Sequence, residues 1–502
     1  MSIASLDTVG NHDSVLHTFT QLQAFVQLAV QQGTPVHEVE LGVWKQLLGL
    51  GRQLLGTFFE QCGSGDLGPT LTLPNGEHVR RLEQVHTRPY VSLFGKFQLE
   101  RTLYGSREGQ AIAFVPLDNR LQLPAQAFSY VLQDWDQALG VEQAFGQVNV
   151  TIARMLGFQQ SVDSLETVNR QMAQDVTAFR EQQPAPEPAT EGELFVATAD
   201  GKGVVLRGQG TPGVCGGHRA KGQKANQKRM AIVGSVYSVN RYVRTPEEVV
   251  AALFRDAEEP RSRRPQPQHK RVCAHLPQDG DEPLAAVDIV YPWLHEELHQ
   301  RNPNGQRTTI YLHDGQEALW DARDRHLPNE HAVDILELLH VTPKLWEAAH
   351  VFHGEKSAQV LPFVRQRVLQ VLHGQVESVV RSFRRLGAAR KLKGSKKKTL
   401  TRVCRYLWTN RARMRYDEYL RQGYPIASGV IEGACRHLVK DRMERAGMHW
   451  TLAGAQAMLQ LRSTYLNGDW QAYQTYRIAE EKRRLYPFQE LVAGETYFAL
   501  TC

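Results

Sequence analysis

Three acidic residues have settings that suit phosphate chemistry. Asp200 closes the apolar run Leu194-Phe195-Val196-Ala197-Thr198-Ala199 and precedes Gly201. Asp314 closes Thr308-Thr309-Ile310-Tyr311-Leu312-His313 and precedes Gly315. Both runs read as strands. A strand end is where alternating side chains stop being buried, so a carboxylate there can face a cleft. Neighbouring strand ends of this kind bring two carboxylates together, and two within a few ångströms repel until one takes up a proton. A divalent cation removes that conflict. Magnesium, or manganese, suits an all-oxygen site because it keeps waters and accepts phosphate oxygens. A third carboxylate is expected from a helix crossing the sheet. Glu432 fits, four residues past Ser428, the expected N-cap of a helix over Ser428 to Ala446. Asp441 and Glu444 compete on the same helix, but Asp441 lies roughly 13 Å from Glu432 along the axis, so both cannot serve one site.

The elements that must position these residues follow from periodicity. Lys202 to Arg207 and Met230 to Val239 read as two further strands around a basic loop, 208–229, giving a three-stranded meander with the Asp200 strand. Residues 246–255 look helical, and 256–284, rich in Pro, Arg, Asp and Gln, is expected to be mobile. A helix follows Asp314, Ala332 to Val341 is expected as a fifth strand, and Pro343 to Phe352 as another helix. Residues 357–422 read as helical throughout. Upstream, residues 14–61 carry helical spacing, and Tyr90 to Tyr104 reads as a hairpin about Gly95-Lys96. Phe145 to Leu156 with Ser164 to Phe179 forms either a helix-turn-helix able to enter a major groove or two ordinary packing helices. The stretch from Glu181 to Glu191 reads as a Pro-rich linker. The expected division is a helical and hairpin DNA-binding region (1–185), the first part of a mixed-sheet core (190–344), a basic helical insertion (345–424), the glutamate helix (425–470) and a tail (471–502).

At 502 residues the chain exceeds one ordinary domain, and 42% hydrophobic with 22% charged residues is the balance of a globular protein. No long apolar run suggests a membrane span, and no secretory leader is visible, so cytoplasmic residence is the expectation. The formal charge of +6 is unevenly spread. Between Arg381 and Arg402 there are ten Lys/Arg and no acid, including Arg390, Lys391, Lys393, Lys396, Lys397 and Lys398. Arg219, Lys221, Lys224, Lys228 and Arg229 form a second cluster, and Arg261, Arg263, Arg264, Lys270 and Arg271 a third. Such clusters suit a polyanion, since each neutralised phosphate releases counterions. Lys440 and Arg442 share the Glu432 helix and are added to the DNA-facing set. The six cysteines form no CxxC pair. Cys215, His218, Cys273 and His275 are four potential zinc ligands, with scattered reduced thiols the alternative.

Several longer segments carry a resemblance: TADGKGVVLRG, KRMAIVGSVYSVNRYVRTPEEVV, TIYLHDGQEALWD, HVTPKLWEAAHVFHG and IASGVIEGACRHLVKDRMERAGMHW. With Phe114-Val-Pro-Leu-Asp118 and Leu121-Gln-Leu-Pro124 upstream, the chain from about residue 89 to 465 resembles the ISKra group of insertion-sequence transposases. The resemblance implies a DDE transposase with an RNase H-like α/β core interrupted by a helical insertion. It makes Asp200, Asp314 and Glu432 the catalytic triad, with two Mg²⁺ or Mn²⁺ ions, Asp200 bridging and the other two each holding one. It implies double-stranded DNA, both element ends and target, as partner, and a homodimer or larger homo-oligomer. Glu337-Leu-Leu-His340 falls where relatives carry a Cys/Asp-x-x-His element; glutamate replaces the usual first residue, and His340 is an auxiliary candidate that is equally well a core histidine. The rivals are a nuclease of the same fold that does not join strands, and an inactive DNA-binding protein.

Overall fold

The computed structural model describes residues 12–107, 111–207, 226–256, 264–328, 331–354, 356–445 and 448–493. The chain divides into two compact units, Val176–Asp469, and Met1–Asp175 together with Trp470–Cys502. Among the described residues no helix is long and apolar enough to cross a membrane.

The larger unit is built on a five-stranded mixed sheet. Its strands are β1 (Leu194–Arg207), β2 (Asn226–Val239), β3 (Gln268–His275), β4 (Thr308–His313) and β5 (Val333–Leu336), in spatial order β5-β4-β1-β2-β3. β1, β2 and β3 form an antiparallel meander, whereas β4 is parallel to β1 and β5 parallel to β4. Period-two alternation along β1 and β4 sorts the core into two layers. Leu194, Val196, Ile310 and Leu312 face one side, packed beneath helices Leu338–Phe352, Val360–Leu372, Val376–Ala389 and Gly394–Thr409. Phe195, Ala197, Ala199 and Tyr311 face the other, against helices Val287–Arg301 and Glu317–His326. Gly234 admits the former helix closely: a Cβ there would lie 2.6 Å from Val290 Cγ1.

Four local expectations are corrected. The chain does not break after Asp200: β1 runs unbroken for 14 residues because β2 pairs with it along the whole length, Asp200 opposite Val233 and Gly201 opposite Ile232. The third meander strand is therefore β3, inside the stretch expected to be mobile; it is held by pairing with β2 from Ile232 to Ser238. The fifth strand ends at Leu336, and Leu338–Phe352 is one helix that carries Pro343 in its second turn. Glu337 N-caps that helix, so His340 lies on its first turn rather than on a strand. The stretch read as a linker is tied to the core by Glu191, whose buried carboxylate is clamped by Arg301 at 2.7 and 2.9 Å.

In the other unit, helices His12–Gln32 and Val36–Cys62 precede the hairpin His86–Ser92 with Gly95–Arg101. Helices Tyr130–Gly140, Phe145–Leu156 and Val162–Met172 pack together, the turn between the last two opened by Gly157 in left-handed conformation (φ 80°). The segment read as a tail forms helix Trp470–Leu485 in this unit, with Tyr473 buried and its hydroxyl donating to the Met172 carbonyl.

Candidate active site

Asp200 and Asp314 meet through strand register. β4 pairs with β1 from Thr308 opposite Leu194 to Tyr311 opposite Ala197; the pairing ends there, and the same offset carried three residues further leads to Asp314 and Asp200, close enough for the charge of Asp200 to act on Asp314. The Ala199 amide donates to Nδ1 of His313 at 3.1 Å, so the two chains are still adjacent one residue before the aspartates. The buried His313 ring is also within 3.4 Å of the Tyr291 hydroxyl, and burial holds its pKa down at about 3. By alternation both aspartates lie on the face shared with Val196 and Leu312, under the helical layer.

Each carboxylate is oriented by its surroundings. Asp314 Oδ1 accepts from the Gln316 amide at 2.8 Å, and its own carbonyl accepts from Trp320 Nε1 at 2.7 Å. Asp200 Oδ1 accepts from the Gly201 amide at 2.7 Å, and Cys435 Sγ donates to Oδ2 at 3.6 Å. Burial raises the Asp314 pKa and the charge of Asp200 adds to the rise, against the Gln316 amide and His340, which lower it. Burial, with the Asp200 charge added, likewise pushes the Cys435 thiol far up, so it is a neutral donor.

Glu432 lies on helix Gly429–Ala434, N-capped by Ser428, whose hydroxyl accepts from the Val430 amide. This helix packs against β1 and β2. It does not continue as one α-helix: Cys435–Lys440 winds as a π-helix before a last α-turn, Asp441–Met443. Such wide turns are rare and recur at functional sites. Glu432 is exposed and has no ion-pair or hydrogen-bond partner for its carboxylate among the described residues. Its competitors are occupied: Asp441 by His437 at 3.0 Å and Arg436 at 3.7 Å, Glu444 by Lys228 at 3.7 Å and Lys202 at 3.9 Å.

Residues outside the expected triad complete the surroundings. Glu337, buried, accepts from the Ser428 amide at 2.8 Å through Oε1 and meets His340 Nδ1 at 2.8 Å through Oε2. One carboxylate thus links the end of β5 to the start of the Glu432 helix. The hydrogen bond to Glu337 is the largest cause of a raised His340 pKa, with Asp314 and Asp200 adding to it. Gly315 faces Tyr406 of helix Gly394–Thr409 so closely that a Cβ would fall 2.3 Å from the ring. No local pattern marks Glu337, Tyr406 or Cys435 for these contacts, because each partner comes from a remote element.

The basic set is dispersed. Lys391, Lys393, Lys396, Lys397 and Lys398 are exposed on the turn before helix Gly394–Thr409 and on its first turns, and Arg390 lies against Phe352. Lys228 is exposed and Arg229 pairs with Asp279 at 2.5 Å. Lys440 is exposed. Arg442 is not a surface residue: it is 1% exposed, stacked over Trp450 at 4.8 Å and bonded to Met448 Sδ, so it braces the fold. Trp450 is core, bridged to β1 by the Arg207 amide on its carbonyl at 2.8 Å. Arg219, Lys221, Lys224, Cys215 and His218 lie outside the described residues. Cys273 and His275 are buried in β3, Cys273 beside Arg180, and burial lowers the His275 pKa to about 4.

Among the described residues no group of three His, Cys, Asp or Glu side chains is arranged to hold a metal ion. The Asp200–Asp314 pair itself fits a hard divalent cation, which would offset the burial, and the smaller contribution of the Asp200 charge, that raise Asp314. Glu432 is not gathered with that pair into one ligand group. No protein-family model and no curated protein matches the chain.

Proposed function

We propose that this chain is a DDE-type DNA transposase with an RNase H-like core, cutting the ends of a mobile element and joining them to target DNA. The observation that carries the reading is the register of β1 and β4, which sets Asp200 beside Asp314 on one sheet face, with the helix bearing Glu432 packed across β1 and β2. The order of parts supports it: strand with aspartate, antiparallel meander, parallel strand with aspartate, helical block, helix with glutamate. The sequence resemblance to ISKra-group transposases points the same way.

Asp200 and Asp314 would hold the divalent ions, with Glu432 the free carboxylate closest in sequence to the N-cap of the packing helix. Bound there, magnesium or manganese would supply a water of lowered pKa and charge neutralisation at the scissile phosphate. The protein's own part is positioning. The Gln316 and Gly201 amides and the Cys435 thiol fix the two aspartates, and Glu337 fixes the start of the Glu432 helix. The exposed lysines of 391–398 bind backbone without reading bases. Two element ends must be held together, so the working species contains at least two protomers.

The deciding assay supplies a duplex element end with a free 3′-hydroxyl, plasmid target and Mg²⁺ or Mn²⁺. Joined products are expected from the parent chain and should vanish in Asp200→Asn, Asp314→Asn and Glu432→Gln. Hydrolysis without joining would favour a nuclease of the same fold. An Asp200→Asn chain that behaves like the parent in every assay would reduce the protein to DNA binding.

A further inference from the structure

Helices Val376–Ala389 and Gly394–Thr409 enclose a cavity of about 520 Å³ that the proposed chemistry does not use. Gly387 lets the two helices approach, since a Cβ there would sit 2.7 Å from Leu400 Cδ2, and Leu400 with Leu392 and Cys404 gives the cavity an apolar floor. Its rim is cationic: Arg384, Lys391, Lys397 and Arg405 line it, and no carboxylate does. Neighbouring arginines are neutralised, Arg402 on helix Gly394–Thr409 by Glu347 at 2.9 Å and Arg411 just past its end by Glu377 at 3.6 Å, whereas the four rim cations have no carboxylate partner among the described residues. Trp408, 37% exposed, forms one wall, with the Arg384 guanidinium 5.7 Å from its ring centre.

The charge is kept here at a cost. Lys396, Lys397 and Lys398 crowd the first turns of a helix with no acid in its first turn, where the helix dipole disfavours positive charge. An anion among them relieves that repulsion.

We propose that this cavity binds an unpaired nucleotide, its phosphate on the Arg384, Lys391, Lys397 and Arg405 rim and its base on the apolar floor beside Trp408. Volume and lining suit that unit: an apolar floor with a few converging charged groups is the usual make-up of a small-ligand site of this size, and aromatic walls beside cations are how single strands are held. A paired base inside a duplex has no face to offer such a cavity. The inference rests on the DNA-processing reading only for the source of the nucleotide, a single-stranded stretch of the bound DNA.

The test is binding of dAMP, deoxyadenosine and inorganic phosphate to the full-length chain at low salt, measured by calorimetry. dAMP should bind at least roughly tenfold tighter than either fragment. Ala388→Phe adds bulk to the cavity wall without removing charge. It should weaken dAMP roughly tenfold while leaving phosphate within about twofold. Arg405→Glu should weaken both, and Lys397→Glu, on an exposed side chain, repeats that result should Arg405→Glu fail to fold. The proposal is overturned if dAMP binds no better than phosphate, or if Ala388→Phe leaves dAMP affinity unchanged in a chain of native circular dichroism. Asp200→Asn separates the two readings: it should abolish strand joining and leave dAMP affinity untouched. Normal joining by that variant, with dAMP still bound, would sink the transposase and spare the pocket.

Discussion

Asp314 is held where ionisation is disfavoured, first by burial and then by the charge of Asp200. Its folded pKa is raised above the unfolded value, so the native state binds the proton more tightly, and stability falls as pH climbs from the unfolded toward the folded pKa. Above that window the ionised pair is a standing cost. Asp314→Asn should therefore raise the melting temperature at neutral pH while abolishing strand joining, with little difference from the parent in mild acid. Mn²⁺ should stabilise the parent, by roughly 2.7 kcal/mol at a hundred times its dissociation constant, and leave the variant unmoved. A parent melting profile indifferent to Mn²⁺ would count against a metal on this pair. His340 has the matching sign for a base: its pKa is raised, chiefly by Glu337, so its contribution is complete below the unfolded histidine pKa and is lost as pH rises through the folded one. His340→Gln should flatten that stretch of the melting-temperature profile. At this scale the position of Asp314 at the end of β4 was legible, whereas Asp200 lies in the middle of β1 and drew notice through a strand end that Gly201 only imitates. Glu337 was named only through the resemblance, and neither its contact with Ser428 nor that of Cys435 with Asp200 was legible, because the partners sit 91 and 235 residues away.

At the scale of elements, contact between β5, the Glu432 helix and the helical layer sets the site. Glu337→Ala leaves the buried Ser428 amide without its acceptor, which should cost about 1–3 kcal/mol in denaturant unfolding and slow strand joining by loosening the Glu432 helix. Gly315→Ala drives a Cβ into Tyr406, and the Gly315→Ala, Tyr406→Ala pair should recover part of the stability that the single change loses. Equal losses in single and double variants would mean that Tyr406 yields freely. Strand and helix types were mostly readable from periodicity, including β4 and the Ser428 cap. The unbroken β1 was not, since Gly201 and Gly203 imitate a turn that only the full-length partner strand β2 removes. β3 was hidden in a Pro- and Arg-rich setting, where a single edge pairing decides the conformation.

For the whole molecule, two properties are set by charge. If the lysines at 396–398 contact phosphates, replacing all three by Glu should lower the slope of log affinity against log salt by roughly 0.9 per lost contact, with little change in sequence preference. In the unit containing both chain ends, burial raises the Asp136 carboxyl to about 7, although a hydrogen bond from Gln160 opposes the rise. The raised value again means stability lost as pH climbs, here up to about 7. Asp136→Asn should melt higher than the parent at pH 8 and match it at pH 4, read by thermal unfolding. That this unit recruits Trp470–Leu485 was illegible in the sequence, because nothing local ties Tyr473 to Met172 some 300 residues earlier.

The wide turn at Cys435–Lys440 makes this stretch tolerant of one particular change in length. A π-turn holds one residue more than the α-turn it replaces. Deleting a single residue there would restore regular winding and leave the flanking turns near their present phase, with Glu432 on one side and Arg442 over the Trp450 indole on the other. The same loss inside the regular helix Leu452–Leu466 would rotate everything downstream by about 100°. A frame-preserving loss of one codon should therefore be forgiven within 435–440 and punished in the neighbouring helix, because only the wide turn has a residue to spare.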